Sequence, residues 1–225
     1  MSSDCPLCGT PPGQSIRLFC LDFRRNWRYW RCTVCRLSWR DPSQRPNPES
    51  ERAQYELHEN EPADPAYRQF LQRVSEPLLA HLSPGARGLD FGAGPGPALA
   101  EMLAAQGHLV ALYDPFFHPD TAVLQEQYDF ITCTETAEHF YQPDIEFDRL
   151  HGLLKAGGLL ALMTGRLDDD ARFSRWHYRH DPTHVCFYRP ETMEWIRNQY
   201  GYDRVHEKGD VSIFRKATAR GQRPG

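Results

Sequence analysis

The chain has 225 residues, of which 40% are hydrophobic and 25% are charged, and its formal net charge is −4. This composition excludes a disordered or fibrous protein and suits one medium α/β domain with a small accessory module. No run approaches the roughly 20 apolar residues of a membrane span, and the first residues lack the apolar core of a secretory signal, so we expect a cytoplasmic protein.

Four of the seven cysteines form two Cys-x-x-Cys pairs, Cys5 with Cys8 and Cys32 with Cys35, and 23 residues separate the pairs. An odd number of cysteines without an export signal favours reduced thiols or metal ligands over disulfides. The spacing predicts a structural Zn²⁺ ion whose four thiolate ligands leave no open position for catalysis. Four unligated thiols are the alternative.

The module around these cysteines, residues 1–42, is predicted to be a zinc ribbon. Residues 16–21 and 27–30 form its predicted strands on either side of a turn. So short a segment buries little apolar surface, and metal binding therefore supplies folding free energy on the order of 10 kcal/mol or more. Two further cysteines, Cys133 and Cys186, fall in apolar strands and are expected to be buried.

Residues 43–64 contain several Pro, Asn, Ser and Glu residues and are predicted to be a linker with little regular structure. A helix should begin after Asp64, which can cap it, and continue through apolar residues at helical spacing to Leu82. Pro77 lies inside this pattern and should kink or split the helix.

A short apolar strand at residues 87–91 is followed by a glycine-rich turn at residues 92–97 and a predicted helix at residues 98–106. The glycines let the backbone approach a ligand closely. Turns that bind dinucleotides place their third glycine three residues after the second, where this chain has Pro97. NAD is therefore the less favoured cofactor.

The next predicted strand, residues 108–113, ends at Asp114, which lies 22 residues after Gly92. A carboxylate at this place can accept hydrogen bonds from the hydroxyls of a ribose. An ordinary turn residue is the alternative interpretation of Asp114.

The order of these elements resembles the class I S-adenosylmethionine-dependent methyltransferases. Residues 90–96 look like the first motif of that family, and Asp114 looks like its ribose-binding acid. Three later segments also look like family elements, namely the fourth strand, the Glu-His segment and the helix-glycine-glycine-strand element at residues 128–133, 135–140 and 153–163. The resemblance implies an α/β fold with a Rossmann-like, mostly parallel sheet and S-adenosylmethionine as cofactor.

The resemblance also implies which residues bind the cofactor. They are Asp90, Gly92, Ala93, Gly94, Gly96, Asp114, Thr134 and Glu135. Only 13 residues separate Asp114 from Tyr128, so the family's acidic adenine-binding motif is missing. We expect Pro115, Phe116 or Phe117 to offer adenine an apolar face, or else to close the core.

The C-terminal part completes the predicted methyltransferase domain, which spans residues 65–216. Residues 202–206 and 211–215 form a predicted hairpin that places the last strand antiparallel in the sheet. Residues 217–225 are expected to be a disordered tail.

The candidate catalytic residues are Glu138, His139 and His184, which follow predicted strands. Loops after strand ends form the ligand crevice of α/β sheets, and histidine is the best base near neutral pH. His184 is predicted to act as a base or to orient the acceptor, with a structural hydrogen-bonded histidine as the alternative. Glu138 beside His139 can set the tautomer of the imidazole or raise its pKa.

Two functions are favoured, and a non-catalytic cofactor-binding interaction module and a dehydrogenase stay open behind them. The first is methylation of a small-molecule acceptor under an aromatic, histidine-rich loop. The second is methylation of RNA, docked on the basic ribbon, since residues 1–46 hold eight arginines against three aspartates. The RNA-contacting residues would be Arg24, Arg25, Arg28, Arg31, Arg36, Trp27, Tyr29 and Trp30.

Overall fold

A computed structural model describes residues 4–13, 15–57 and 61–218. Within these residues the strands are β1 (Ile16–Asp22), β2 (Trp27–Cys32), β3 (Ser38–Arg40), β4 (Arg87–Phe91), β5 (Leu109–Tyr113), β6 (Tyr128–Thr134), β7 (Leu154–Met163), β8 (Cys186–Phe187), β9 (Tyr202–Lys208) and β10 (Val211–Lys216). The α-helices are α1 (Pro48–Tyr55), α2 (Pro65–Leu79), α3 (Ala98–Ala104), α4 (Pro143–Leu153) and α5 (Pro190–Gln199).

The chain forms two compact units, each assembled from three segments. The first unit comprises Met1–His58, Glu135–Asp148 and Thr164–Ile196, and the second comprises Glu59–Thr134, Arg149–Met163 and Arg197–Gly225. In the first unit, the segments that come after β6 and β7 pack with the N-terminal residues.

The second unit is built on a six-stranded sheet with the order β5-β4-β6-β7-β10-β9. Neighbouring strands from β5 to β7 are parallel. Strand β10 is antiparallel to both β7 and β9. The predicted Rossmann-like sheet with an antiparallel C-terminal hairpin is therefore confirmed.

Close packing between β4 and β6 requires a glycine in the second unit. A Cβ atom added to Gly88 would lie 2.1 Å from the ring of Phe130. That ring is fully buried in a core made by α2, α3 and the central strands. The ring of Phe130 thus takes the space that a side chain at position 88 would need.

The first unit contains a four-stranded sheet with the order β1-β2-β3-β8, and every pair in it is antiparallel. The side chains of Tyr29, Leu167, Phe173 and Phe187 form its buried core. Strand β8 comes from a distant part of the sequence, so the predicted ribbon strands do not form a sheet by themselves.

Residues 43–64 contain more regular structure than expected. Helix α1 begins after Asn47, whose side chain accepts a hydrogen bond from the amide of Ser50, and Pro48 occupies its first turn. These are ordinary helix-start signals. The polar composition of the segment concealed them, and the prediction of little regular structure was wrong here.

Helix α2 runs continuously through Pro77, so the prediction that this residue splits the helix was wrong. Proline removes one amide donor, but Leu71, Val74 and Leu78 on the same helix are buried in the core. Their burial offsets the lost hydrogen bond.

Cys133 and Cys186 are buried, as predicted. The tail predicted at residues 217–225 lies outside the described residues from position 219 onwards. In the described part of the chain, no helix combines the length and the apolar character needed to cross a membrane.

Candidate functional site

The four cysteines of the N-terminal module form a compact cluster in the first unit. The Sγ atoms of Cys5 and Cys35 are 3.4 Å apart, and those of Cys8 and Cys32 are 3.6 Å apart. These distances are too long for disulfides. Tetrahedral Zn²⁺ with bonds of about 2.3 Å places its sulfur ligands about 3.8 Å apart, so the cluster fits this ion.

The glycine-rich turn after β4 lies in the second unit. Gly92 and Gly94 have φ angles of 80° and 62°, in the left-handed region that favours glycine. The amides of Gly92 and Ala93 donate to the carbonyl oxygen of Tyr113 at 2.8 and 3.2 Å. A Cβ atom added to Gly94 would meet no atom within 4 Å. The turn is thus fixed to β5 and presents open space at Gly94.

The carboxylate of Asp114 is held by backbone amides. Its Oδ2 accepts a hydrogen bond from Gly94 at 3.1 Å, and its Oδ1 accepts from Phe116 and Phe117 at 2.9 and 3.1 Å. Asp114 therefore orders both the glycine-rich turn and the segment that follows β5. Because a carboxylate has about four acceptor positions, the three amides leave one for a ligand hydroxyl.

Asp90 is the last residue but one of β4 and is 4% exposed. Its Oδ1 accepts a hydrogen bond of 2.7 Å from the hydroxyl of Thr132. Burial raises the pKa of the Asp90 carboxyl to about 6, and the charge of Asp114 adds to this rise. Asp90 thus supports the end of the strand from inside the second unit.

The three predicted catalytic residues come together in the first unit. One carboxylate oxygen of Glu138 accepts a hydrogen bond of 2.7 Å from the hydroxyl of Thr164, and the other is 4.0 Å from Nε2 of His139. The ring centroids of His139 and His184 are 4.8 Å apart. Glu138 is fully buried, so its carboxylate and the two neighbouring imidazoles have little contact with solvent.

A family model described as a methyltransferase domain matches residues 57–207, about two thirds of the chain. The chain belongs to this methyltransferase family. It is a class I enzyme that uses S-adenosylmethionine as methyl donor, as its parallel sheet and glycine-rich turn had indicated.

Two solved structures of methyltransferases are similar to the chain at low identity. The 1,6-didemethyltoxoflavin-N1-methyltransferase of Burkholderia thailandensis is 19% identical over 65% of this chain and 78% of its own, with a TM-score of 0.47. The N-methyltransferase NodS of Bradyrhizobium japonicum is 19% identical over 69% of this chain and 98% of its own, with a TM-score of 0.46. None of the curated protein sequences compared with the chain matches it.

The pKa of His139 in this methyltransferase is lowered, opposite to the rise that was one of the two effects expected from Glu138. Burial lowers the pKa to about 4, and the nearby Glu138 carboxylate opposes this only in part. The imidazole of His139 is therefore neutral near pH 7. Burial likewise raises the pKa of the Tyr178 phenol well above its usual value, and the Glu138 carboxylate contributes.

Three residues of the histidine cluster were missed by the sequence analysis. The hydroxyl of Thr164 contacts both Glu138 and the phenol oxygen of Tyr178, the latter at 3.2 Å. The ring of Tyr55 meets His139 edge-on, with centroids 5.1 Å apart. Tyr55 belongs to α1, which was expected to be linker, whereas Thr164 directly follows a predicted strand and could have been suspected on that ground.

The remaining predicted cofactor residues occupy two places. Pro115 and Phe116 follow Asp114 in the second unit, where 3₁₀ helix Thr121–Gln125 is the regular element before β6. Thr134 ends β6. Glu135 begins the next segment of the first unit with a φ angle of 47°, an uncommon conformation for a residue with a side chain.

Proposed function

We propose that this methyltransferase acts on a small-molecule acceptor. The observation that carries the proposal is the enclosure of the histidine cluster: the side chain of Glu138 is 0% exposed and that of His139 is 14% exposed. Side chains this enclosed suit one small reacting group better than a bulky polymer. Burial also removes competing water, which favours transfer to the positioned acceptor.

S-adenosylmethionine supplies an electrophilic methyl group on a sulfonium. We propose that the turn formed by Gly92, Ala93, Gly94 and Gly96 holds it by close backbone approach. The open space at Gly94 supports this role, since a side chain there would fill it. Asp90 supports the turn from the preceding strand.

For the adenosine part of the cofactor, Asp114 is the proposed ribose acceptor. Its carboxylate is already oriented by the amides of Gly94, Phe116 and Phe117, so little ordering remains to be done on binding. We assign Pro115 and Phe116 to the adenine face, and Thr134 and Glu135 to the remaining polar contacts.

His184 and His139 are the proposed catalytic bases or acceptor-orienting groups. The Nδ1 atoms contact the carbonyl oxygens of Tyr178 and Thr183 at 2.6 and 3.1 Å. Each Nδ1 must therefore carry a proton, and each Nε2 keeps its lone pair for the acceptor. Glu138 holds the pair in place and compensates positive charge that develops there.

The thiol cluster is proposed to hold a structural Zn²⁺ ion through Cys5, Cys8, Cys32 and Cys35. The sulfur distances support this assignment, as does Gly9 with a φ angle of 65° in the first knuckle. With four thiolate ligands the ion has no open position, so we assign it to folding.

RNA methylation is the weaker alternative, because part of the expected contact surface is buried. Tyr29 is fully buried, and the buried guanidinium of Arg31 pairs with Asp170 at 2.6 Å. Neither residue is free to stack on a base or to contact a phosphate. Arg24, Arg25, Arg28 and Arg36 remain exposed.

Methyl transfer from labelled S-adenosylmethionine to a panel of small phenols, amines and carbon acids, and to total RNA, tests the proposal. We expect transfer to a small acceptor whose rate is independent of salt and unchanged in the double variant Arg24→Glu and Arg25→Glu. Transfer to RNA alone that falls steeply with salt and is lost in this variant would support the alternative.

A further inference from the structure

The histidine cluster contains three side chains whose free polar atoms face one another. One carboxylate oxygen of Glu138 and one ring nitrogen each of His139 and His184 lie within 4.8 Å of one another. We propose that these three residues bind a divalent first-row transition metal ion, in a site separate from the thiol cluster. Two imidazoles and one carboxylate are a recurrent ligand set for such ions.

In both imidazole rings, Nδ1 is engaged in a hydrogen bond and Nε2 is left for metal ligation. Nδ1 of His139 donates to the carbonyl oxygen of Thr183 at 3.1 Å, and Nδ1 of His184 donates to that of Tyr178 at 2.6 Å. A carbonyl oxygen accepts but does not donate, so the proton is on Nδ1 in both rings. Each Nε2 then has a free lone pair, and metal-binding histidines are commonly oriented by such a carbonyl contact.

The carboxylate of Glu138 needs a partner that a cation can supply. Its Oε1 is buried and has no hydrogen-bond partner among the described residues, and the whole side chain is fully buried. A buried carboxylate oxygen without a partner is costly. A cation next to Oε1 would remove this cost.

The other carboxylate oxygen is held by a second layer of contacts. Oε2 of Glu138 accepts from the hydroxyl of Thr164 at 2.7 Å, and that hydroxyl lies 3.2 Å from the phenol oxygen of Tyr178. The same phenol accepts a hydrogen bond of 3.0 Å from the amide of Gly165. Metal-ligating carboxylates are typically fixed in this way.

The spacing suits an ion after a small inward movement. Ligand bonds of about 2.1 Å place neighbouring ligand atoms about 3.0 Å apart in octahedral and about 3.4 Å apart in tetrahedral coordination. Oε1 of Glu138 and Nε2 of His139 are 4.0 Å apart, and the three ligand atoms lie within 4.8 Å of one another. Side-chain movements of about 1 to 2 Å close the difference. Three protein ligands leave coordination positions open, unlike the four thiolates of the cysteine cluster.

The role of the ion rests on the proposed function. At its open positions it would bind an oxygen of the small acceptor and hold that atom for methyl transfer. The imidazoles would then orient the acceptor through the ion instead of accepting its proton directly.

Titration with Co²⁺ separates the two metal sites in one experiment. Thiolate-bound Co²⁺ gives intense sulfur-to-metal charge-transfer absorption, whereas Co²⁺ bound by nitrogen and oxygen does not. For chelator-dialysed protein we expect two equivalents, one with and one without this absorption. The variants Glu138→Gln, His139→Gln and His184→Gln should lose only the second equivalent, and the exposed-histidine control His81→Gln should keep both.

A near-isosteric variant guards against loss of folding. Thr164→Val removes the hydrogen bond to Glu138 without removing a ligand, and we expect the second equivalent to bind about 10- to 100-fold more weakly. Binding of a single, thiolate equivalent by the unaltered protein, or unchanged binding in both histidine variants, would overturn the proposal.

S-adenosylhomocysteine binding and methyl transfer, measured on the same samples, separate this inference from the proposed function. One Co²⁺ equivalent with intact transfer to a small acceptor would reject the metal site alone. Two equivalents with transfer to RNA only would reject the small-molecule function and leave the metal site in place.

Discussion

The two units of this methyltransferase build their polar clusters in different ways. In the second unit the glycine-rich turn and Asp114 come from consecutive elements, β4 to β5. In the first unit the cluster around Glu138 also needs Thr164 and His184, from a separate segment of the chain. Local sequence therefore describes the first kind of cluster well, whereas the second depends on tertiary packing.

The positions of the tryptophans allow the folding of the first unit to be followed separately from that of the second. The five tryptophans all lie in segments of the first unit, at positions 27, 30, 39, 176 and 195. Tryptophan fluorescence consequently reports on the first unit. All the proposed cofactor-binding residues except Glu135 belong to the second unit, so cofactor binding reports mainly on that unit.

Loss of the structural metal should have the largest effect. Cys8→Ser removes one thiolate, and structural Zn²⁺ contributes on the order of 10 kcal/mol of folding free energy. We expect the native tryptophan fluorescence to be lost in this variant, while Cys20→Ser, outside the pairs, keeps it. Native fluorescence in metal-free protein would contradict the zinc assignment.

A buried ion pair should give the next largest effect. Nη1 of Arg179 lies 2.7 Å from Oδ2 of Asp22, and both side chains are 6% exposed. Arg179→Met removes the closest cation of this buried carboxylate and leaves Arg25 3.6 Å from the same oxygen, so we expect the first unit to lose about 3 kcal/mol of stability. Denaturant unfolding followed by fluorescence measures this loss, with the exposed Arg175→Met as control.

The difference in stability between the unaltered protein and Arg179→Met should also depend on pH. Burial raises the pKa of Asp22, but the hydrogen bond from Arg179 and two backbone amides lower it below its usual value overall. A lowered carboxyl pKa contributes stability above the unfolded value of about 3.9, and that contribution is lost as the pH falls through the folded value. The two proteins should therefore converge in stability in strong acid, and a constant difference would argue against the ion pair.

Asp90 should show the opposite pH dependence in the second unit. Its pKa rises from 3.8 to about 6 on burial, so folding disfavours the charged form. Stability contributed by this group is highest below about pH 4 and falls as the pH rises to about 6, by about 3 kcal/mol in total. Relative to the unaltered protein, Asp90→Asn should gain that amount between pH 4 and pH 7 in urea unfolding followed by circular dichroism.

The smallest expected effect concerns the packing of Gly88 on Phe130. Gly88→Ala puts a methyl group 2.1 Å from the ring, and overpacking of this kind costs about 1–3 kcal/mol. Gly152→Ala is the matched control, because an added Cβ there meets nothing within 4 Å and α4 gains helix propensity. Equal stability of the two variants would show that the β4–β6 spacing adapts.

The sequence predicted the features that depend on nearby residues. The span of β4, the glycine-rich turn and the cysteine pairs each follow from spacing within a short stretch. The antiparallel hairpin of β9 and β10 was predicted for the same reason, from two short strands joined by a turn that contains Gly209.

The features that were missed depend on distant contacts. Strand β8 completes the sheet of the ribbon strands by pairing with β3, and Arg179 reaches Asp22 across 157 positions. The lowered pKa of His139 is a further case, because burial outweighs the adjacent Glu138 and burial follows from tertiary structure. No local pattern carries this information.

The central claim is that the turn around Gly94 and the carboxylate of Asp114 hold the methyl donor. Calorimetric titration with S-adenosylhomocysteine tests it most directly. Gly94→Val places a side chain where φ is 62°, so the backbone is strained and the open space is filled. Asp114→Asn removes the charged acceptor for ribose. We predict that each variant lowers the affinity at least about tenfold. Undiminished affinity in the double variant would contradict the account.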